Sequence, residues 1–139
     1  MKILFVCTAN SCRSQMAEGW ARRLFPAGWT AASAGLITHP IHARTRAIMA
    51  EAGVDLEGQE SKSIDAVDLA SFDLVVTLSE EAGRFLPPLP EPSRHRRNPV
   101  PDPMAFRGDP EQVRLAYRQG REAIRALVAG LVAEFGGSR

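Results

Sequence analysis

The chain has 139 residues, 45% of them apolar, with 17 basic and 16 acidic side chains for a net charge of +1. That length and apolar content suit one compact α/β domain over residues 1–139 with a proper core. The balanced charge gives no reason to expect nucleic acid or an acidic membrane surface as partner, and no apolar run reaches the roughly 18 residues of a membrane-crossing helix.

Residues 2–6, Lys-Ile-Leu-Phe-Val, are a short apolar run, the form of a central parallel strand buried on both faces. The run is too brief for a signal peptide, so a cytoplasmic location is expected. From Ser14 onward Met16, Ala17, Trp20, Ala21 and Leu24 recur at helical spacing, with Glu18, Arg22 and Arg23 opposite, and Phe25-Pro26-Ala27-Gly28 ends the helix. Residues 29–34 read as a second strand closing at Gly35, which makes a βαβ unit with parallel, adjacent strands. Residues 41–52 are predicted helical, with Ala43, Ala47, Ile48 and Ala52 available to the core and Gly53 as C-terminal cap. A short helix is expected over 65–69 and a third strand over 72–78, its C-terminal end emerging beside the Cys7 loop. Ser79, Glu80 and Glu81 begin another short helix, Pro87, Pro88 and Pro90 force an irregular stretch, and residues 94–97 form an edge strand. The last helix is capped by Asp109, Pro110 and Gln112 and stopped by Gly136 and Gly137. Val113, Ala116, Tyr117, Gly120, Ile124, Leu127, Val128, Leu131 and Phe135 share one of its faces. Trp20 and Trp29 read as core side chains.

The chemistry concentrates where the first strand meets the first helix. Unpaired N–H groups and the positive end of the helix dipole converge there, which suits a tetrahedral oxyanion and favours a thiolate. Cys7 is the candidate nucleophile, and Arg13 can hold two oxygens of a phosphate-like group in a bidentate fork. Ser14 can donate to the thiolate. Asn10 tolerates left-handed backbone angles, so the N–H groups of Thr8, Ala9, Asn10, Ser11, Cys12 and Arg13 can turn inward without a glycine. The loop is no Walker motif, since Gly-x-x-x-x-Gly-Lys is absent.

Two Asp-Pro pairs compete for the general acid. Asp109 is accounted for as a helix cap, whereas Asp102 sits in a rigid proline-flanked loop with no helical pattern directly behind it. Asp102 is therefore the candidate acid, and the plain alternative is a turn residue. Cys7 and Cys12 make no disulfide framework; Cys12 reads either as a packing thiol or as a redox partner of Cys7. His39 and His42 with the two cysteines lack zinc spacing, so no metal is expected, and the two histidines read as surface or capping residues. Arg94, Arg96 and Arg97 read more readily as a solvated face than as an anion-attracting patch.

Residues 7–18, CTANSCRSQMAE, resemble the signature of the low-molecular-weight protein tyrosine phosphatase superfamily and, within it, the thiol-coupled arsenate reductase branch. The resemblance continues through Ser33-Ala34-Gly35, Ser61-Lys62-Ser63-Ile64-Asp65, residues 73–78 and Asp102-Pro103. Phosphatases of that superfamily usually have Pro where this chain has Gln15, and tyrosines where it has Met104-Ala105-Phe106. The resemblance implies a three-layer flavodoxin-like α/β domain with a central four-stranded parallel sheet, Asp102 as acid, and no cofactor. It implies a thiol-dependent arsenate reductase, converting arsenate to arsenite in arsenic detoxification, with weak phosphomonoesterase activity. The alternative is a protein tyrosine phosphatase that hydrolyses aryl phosphates through a Cys7 phospho-thioester. A non-catalytic anion-binding or redox-sensing module is a third reading, and the presence of both Cys7 and Asp102 argues against it.

The branch usually has a separate pair of resolving cysteines, beginning where this chain has Ser79. Without them, the Cys7 adduct has to be resolved by Cys12 or by an external thiol such as thioredoxin or glutathione. Some reductases of the branch hold a monovalent cation with side chains matching Asn10, Glu18 and Ser33 plus an Asp. Lys62 stands at the Asp position, and its ammonium is expected to replace the cation.

Overall fold

Ile3, Leu4, Phe5 and Val6 are completely buried, as an apolar run must be when it has strand neighbours on both edges and helices over both faces. In the computed structural model, which describes residues 1–136, this run belongs to β1 (Lys2–Cys7). The other strands are β2 (Thr30–Gly35), β3 (Leu74–Thr77) and β4 (His95–Arg97), and all pair parallel in the order β2-β1-β3-β4. Side chains alternate across β1. Ile3, Phe5 and Cys7 face a core shared with α1 (Arg13–Leu24), α2 (Ala43–Glu51) and α4 (Pro110–Gly136). Leu4 and Val6 face the other way, onto Ala82 and Leu86 at α3 (Glu80–Phe85). The result is the expected three-layer arrangement around a four-stranded parallel sheet. Among the described residues no helix is long and apolar enough to cross a membrane.

α4 buries Val113, Tyr117, Gly120, Ile124, Val128 and Leu131, the centre of the predicted stripe. Its start is a reciprocal cap: the Gln112 N–H donates to Asp109 Oδ1 at 2.9 Å and the Asp109 N–H to Gln112 Oε1 at 3.1 Å. Gly137, the second glycine of the predicted stop, lies outside the described residues. Trp20 is buried and Trp29 packs edge-on against Phe25, 5.2 Å between ring centroids.

Three expectations are corrected. α2 begins at Ala43 because His42 is its cap, Nδ1 accepting the Arg44 N–H at 3.0 Å. The helix then turns Thr45, Ile48 and Met49 inward, while Ala43 and Ala47 are exposed. In place of a helix over 65–69 stand two 3-10 turns, Ile64–Ala66 and Leu69–Ser71, each closed by the side chain that precedes it, Ser63 and Asp68. Two of the three arginines around β4 are paired rather than merely solvated: Arg96 grips Glu134 through two bonds of 2.6 and 2.8 Å, and Arg94 bonds Glu91, while Arg97 is exposed.

Exposed charge also clasps the helices. Glu51 on α2 meets both Arg118 and Arg121 of α4, which hold its carboxyl down at about 2.

The end of β2 decides how closely the Cys7 loop can approach the sheet. A Cβ at Gly35 would lie 2.5 Å from the Ile37 carbonyl oxygen and 2.7 Å from the Asn10 nitrogen, both backbone atoms. Gly35→Ala is therefore expected to lower unfolding free energy by about 1–3 kcal/mol in urea titrations. An unchanged midpoint would contradict the close approach.

Candidate active site

Cys7 is the last residue of β1 and Arg13 the first of α1, so residues 8–12 make the whole connection. Their carbonyls point outward: those of Cys7, Thr8, Ala9 and Ser11 accept the N–H groups of Leu36, Ile37, His39 and His42. Their amides are left to face the other way. Among the described residues, none of the N–H groups of residues 8–12 has a protein acceptor. This is the concave donor array that binds anions.

Asn10 makes the turn. Its φ of 53 is the one positive value among the described non-glycine residues, and its side chain is fully buried. Asn10 Oδ1 accepts the Lys62 N–H at 2.8 Å, which fixes the amide so that Nδ2 donates to Ser14 Oγ at 2.7 Å. Ser14 Oγ lies 2.9 Å from Cys7 Sγ. With Cys7 as thiolate, Ser14 is the donor in that contact.

A cavity of about 440 Å³ opens over the loop, lined by Cys7, Thr8, Ala9, Ser11, Cys12 and Arg13, with His39, Pro40, His42, Asp102 and Met104 completing its wall. The structure thus brings Cys7, Arg13 and Asp102 to one cavity and sets Asn10 and Ser14 behind it. Arg13 Nη1 donates to the Val100 carbonyl at 2.9 Å, and Nη2 lies 3.5 Å from Asp102 Oδ2. Asp102 Oδ1 accepts the Met104 N–H at 3.0 Å and closes a 3-10 turn, Pro103–Ala105. A helical turn does stand behind Asp102, so absence of a cap role does not separate it from Asp109. Position does: Asp102 lines the cavity, whereas Asp109 is spent on α4.

Cys12 is 3% exposed and packs with the α1 side of the core. Burial, reinforced by the nearby Cys7 and Asp102, pushes its thiol up to about 12. Ser79, where the resemblance would place a first resolving cysteine, is buried and caps α3, accepting the Ala82 N–H at 3.0 Å. His42 does cap α2, as expected, but both it and His39 also line the cavity, which the sequence spacing did not indicate.

The residues do not fit a monovalent cation. Glu18 Oε1 accepts the Ser33 hydroxyl at 2.6 Å, Glu18 Oε2 is paired with Arg22 at 2.5 Å, and Asn10 Oδ1 is taken by Lys62. Positive charge is supplied by Arg22, not by Lys62, whose ammonium makes no ion pair among the described residues. Nor do three or more His, Cys, Asp or Glu side chains among them form a metal-holding group.

Comparison with known proteins gives concordant results. The profile of the family described as low molecular weight phosphotyrosine protein phosphatase matches residues 2–137. The arsenate reductase of Staphylococcus aureus (strain N315) is 44% identical over 88 residues, covering 63% of this chain and 67% of that protein. An arsenate reductase in the phosphate binding state has a TM-score of 0.77 at 31% identity, with 96% of this chain and 97% of that one covered. A low molecular weight protein tyrosine phosphatase from T. tengcongensis has a TM-score of 0.80 at 27% identity, with 97% and 99% covered.

The two cysteines should differ sharply in reactivity. Burial, with Cys7 and Asp102 nearby, pushes the Cys12 thiol up to about 12, so it stays protonated at pH 8. Iodoacetamide should therefore modify Cys7 alone in the native protein and both thiols after denaturation. Peptide mapping that finds Cys12 modified at a rate comparable to Cys7 would contradict this assignment.

Proposed function

This chain belongs to the low molecular weight phosphotyrosine protein phosphatase family, and we propose that within it the chain is a thiol-dependent arsenate reductase with weak phosphomonoesterase activity. The observation that carries the reading is the convergence of Cys7, Arg13 and Asp102 on one amide-lined cavity, in a chain 44% identical over 88 residues to an arsenate reductase.

Arsenate, a tetrahedral oxyanion, sits on the N–H groups of residues 8–13 with the Arg13 guanidinium across two of its oxygens. The Cys7 thiolate, held by Ser14, attacks arsenic. Asp102 gives a proton to the departing hydroxide, which leaves as water. An external thiolate then attacks Cys7 Sγ; the sulfur–arsenic bond breaks, its electron pair stays on arsenic, and arsenite departs. Cys7 is left in a mixed disulfide, and a second external thiol restores it. The balance is arsenate plus two thiols giving arsenite, a disulfide and water.

We assign resolution to an external thiol of the thioredoxin or glutathione type because the chain has two cysteines, and the Cys12 thiol is pushed up to about 12. A cytoplasmic, reducing location suits two free thiols. The same loop supports phosphatase chemistry, in which Asp102 activates water against a Cys7 phospho-thioester. The absence of a resolving cysteine favours that second reading.

Purified protein should oxidise glutathione or thioredoxin only when arsenate is present. Cys7→Ser should abolish turnover, and Asp102→Asn should lower kcat by about 10²-fold. Aryl phosphate hydrolysis with no arsenate-dependent thiol consumption would install the phosphatase reading instead, and turnover by Cys7→Ser would refute both.

A further inference from the structure

Two buried amides stand behind the loop with no part in the chemistry above. Gln15 is fully buried and Gln59 is 5% exposed. Gln15 Nε2 donates to the Asn10 and Glu60 carbonyls, both at 3.1 Å. Gln59 Nε2 donates to Gln15 Oε1 at 2.8 Å and to the Gln15 carbonyl at 3.1 Å. The pair therefore ties residues 59–62 to the start of α1 and to the oxyanion loop.

We propose that Gln15 and Gln59 are positioning residues for the nucleophile, pinning residues 59–62 so that the Lys62 N–H orients Asn10 and, through Ser14, Cys7. The proposal rests on the reading of Cys7 as nucleophile. Its physical basis is direction. From Lys62 N–H to Asn10 Oδ1, from Asn10 Nδ2 to Ser14 Oγ, and from Ser14 to Cys7 Sγ, every donor points toward the sulfur, over 2.8, 2.7 and 2.9 Å. Hydrogen bonds aligned in one sense polarise one another.

The Lys62 N–H is the origin of that chain, and contacts on either side of it fix its position. Gly35 N–H on the Lys62 carbonyl, at 2.8 Å, holds the segment from the sheet side, the Ser61 hydroxyl on the Ala9 carbonyl, at 3.3 Å, from the loop, and Gln59 from the α1 side. With the Gln59 tie cut, the Lys62 N–H can drift from Asn10 Oδ1, which is fully buried. The amide can then rotate and present oxygen to Ser14, which draws the Ser14 proton away from the sulfur. Burying two amides is a poor device for stability alone, because apolar side chains of the same shape serve as well or better. What the amides add is register.

The test uses Gln59→Met and Gln15→Met, which keep volume and lose the amide, beside Leu56→Ala, which removes buried bulk from the same segment. Three quantities are read for each: the rate of Cys7 alkylation by iodoacetamide at pH 7 by peptide mapping, kcat and KM for aryl phosphate, and Tm. The glutamine variants should slow alkylation and lower kcat roughly five- to tenfold, the scale of a lost hydrogen bond, with KM within about twofold. Leu56→Ala should lower Tm by more and leave alkylation within about twofold. Glutamine variants that lose Tm but alkylate like the parent would overturn the proposal, and so would Leu56→Ala slowing alkylation equally. If Gln59→Met does not fold, Gln15→Met decides from the other amide. Alkylation needs neither arsenate nor phosphate, so a failure of the reductase reading leaves this result interpretable.

Discussion

Asn10 holds a left-handed backbone angle with its side chain entirely out of solvent, and the site hangs on that residue. For a residue with a Cβ such an angle costs of order 1 kcal/mol, and it persists only where the surroundings over-determine it. Here they do: the carbonyl is taken by Gln15, Oδ1 by Lys62, and Nδ2 by Ser14. The turn made at Asn10 sends the carbonyls of Cys7, Thr8 and Ala9 outward, and so leaves the amides free for an anion. The same residue aligns Ser14 with the sulfur. One dihedral angle thus shapes both the amide cradle and the contacts to Cys7 Sγ.

The parts of the fold that were legible in the sequence are those with local periodicity. β1 and α4 follow from a continuous apolar run and a long one-sided stripe, and the strand-loop-helix order around Cys7 marks an oxyanion loop without any long-range information. The start and buried face of α2 are not legible, because a possible histidine cap does not by itself fix where a helix begins and alanines at helical spacing say nothing about which side is buried. Thr45 and Met49 fill the face that Ala43 and Ala47 were expected to fill.

Residues behind the loop were harder still. The Gln15 to Gln59 contact joins residues 44 positions apart, and no spacing rule reaches that far. By contrast, the Arg22 with Glu18 pair is a readable i, i+4 contact. Lys62, at the position matching the cation-binding Asp, holds the site through its backbone N–H rather than its charge. Asp102 shows a related difficulty: one carboxylate oxygen caps a turn while the other faces Arg13, so a structural explanation and a chemical one coexist in one side chain.

The loop of unpaired amides also bears on how a turnover ends. An array of donors with Arg13 across its mouth selects for a tetrahedral, negatively charged ion, and inorganic phosphate satisfies it as fully as arsenate does. Arsenate therefore competes with phosphate for one seat, and the shared tetrahedral shape and charge give binding little by which to tell them apart. The distinction falls to the step that only arsenic permits, transfer of an electron pair from a sulfur bond onto the central atom. That step turns a charged tetrahedron into a neutral pyramid with no claim on the amides, so the reduction itself ejects the product.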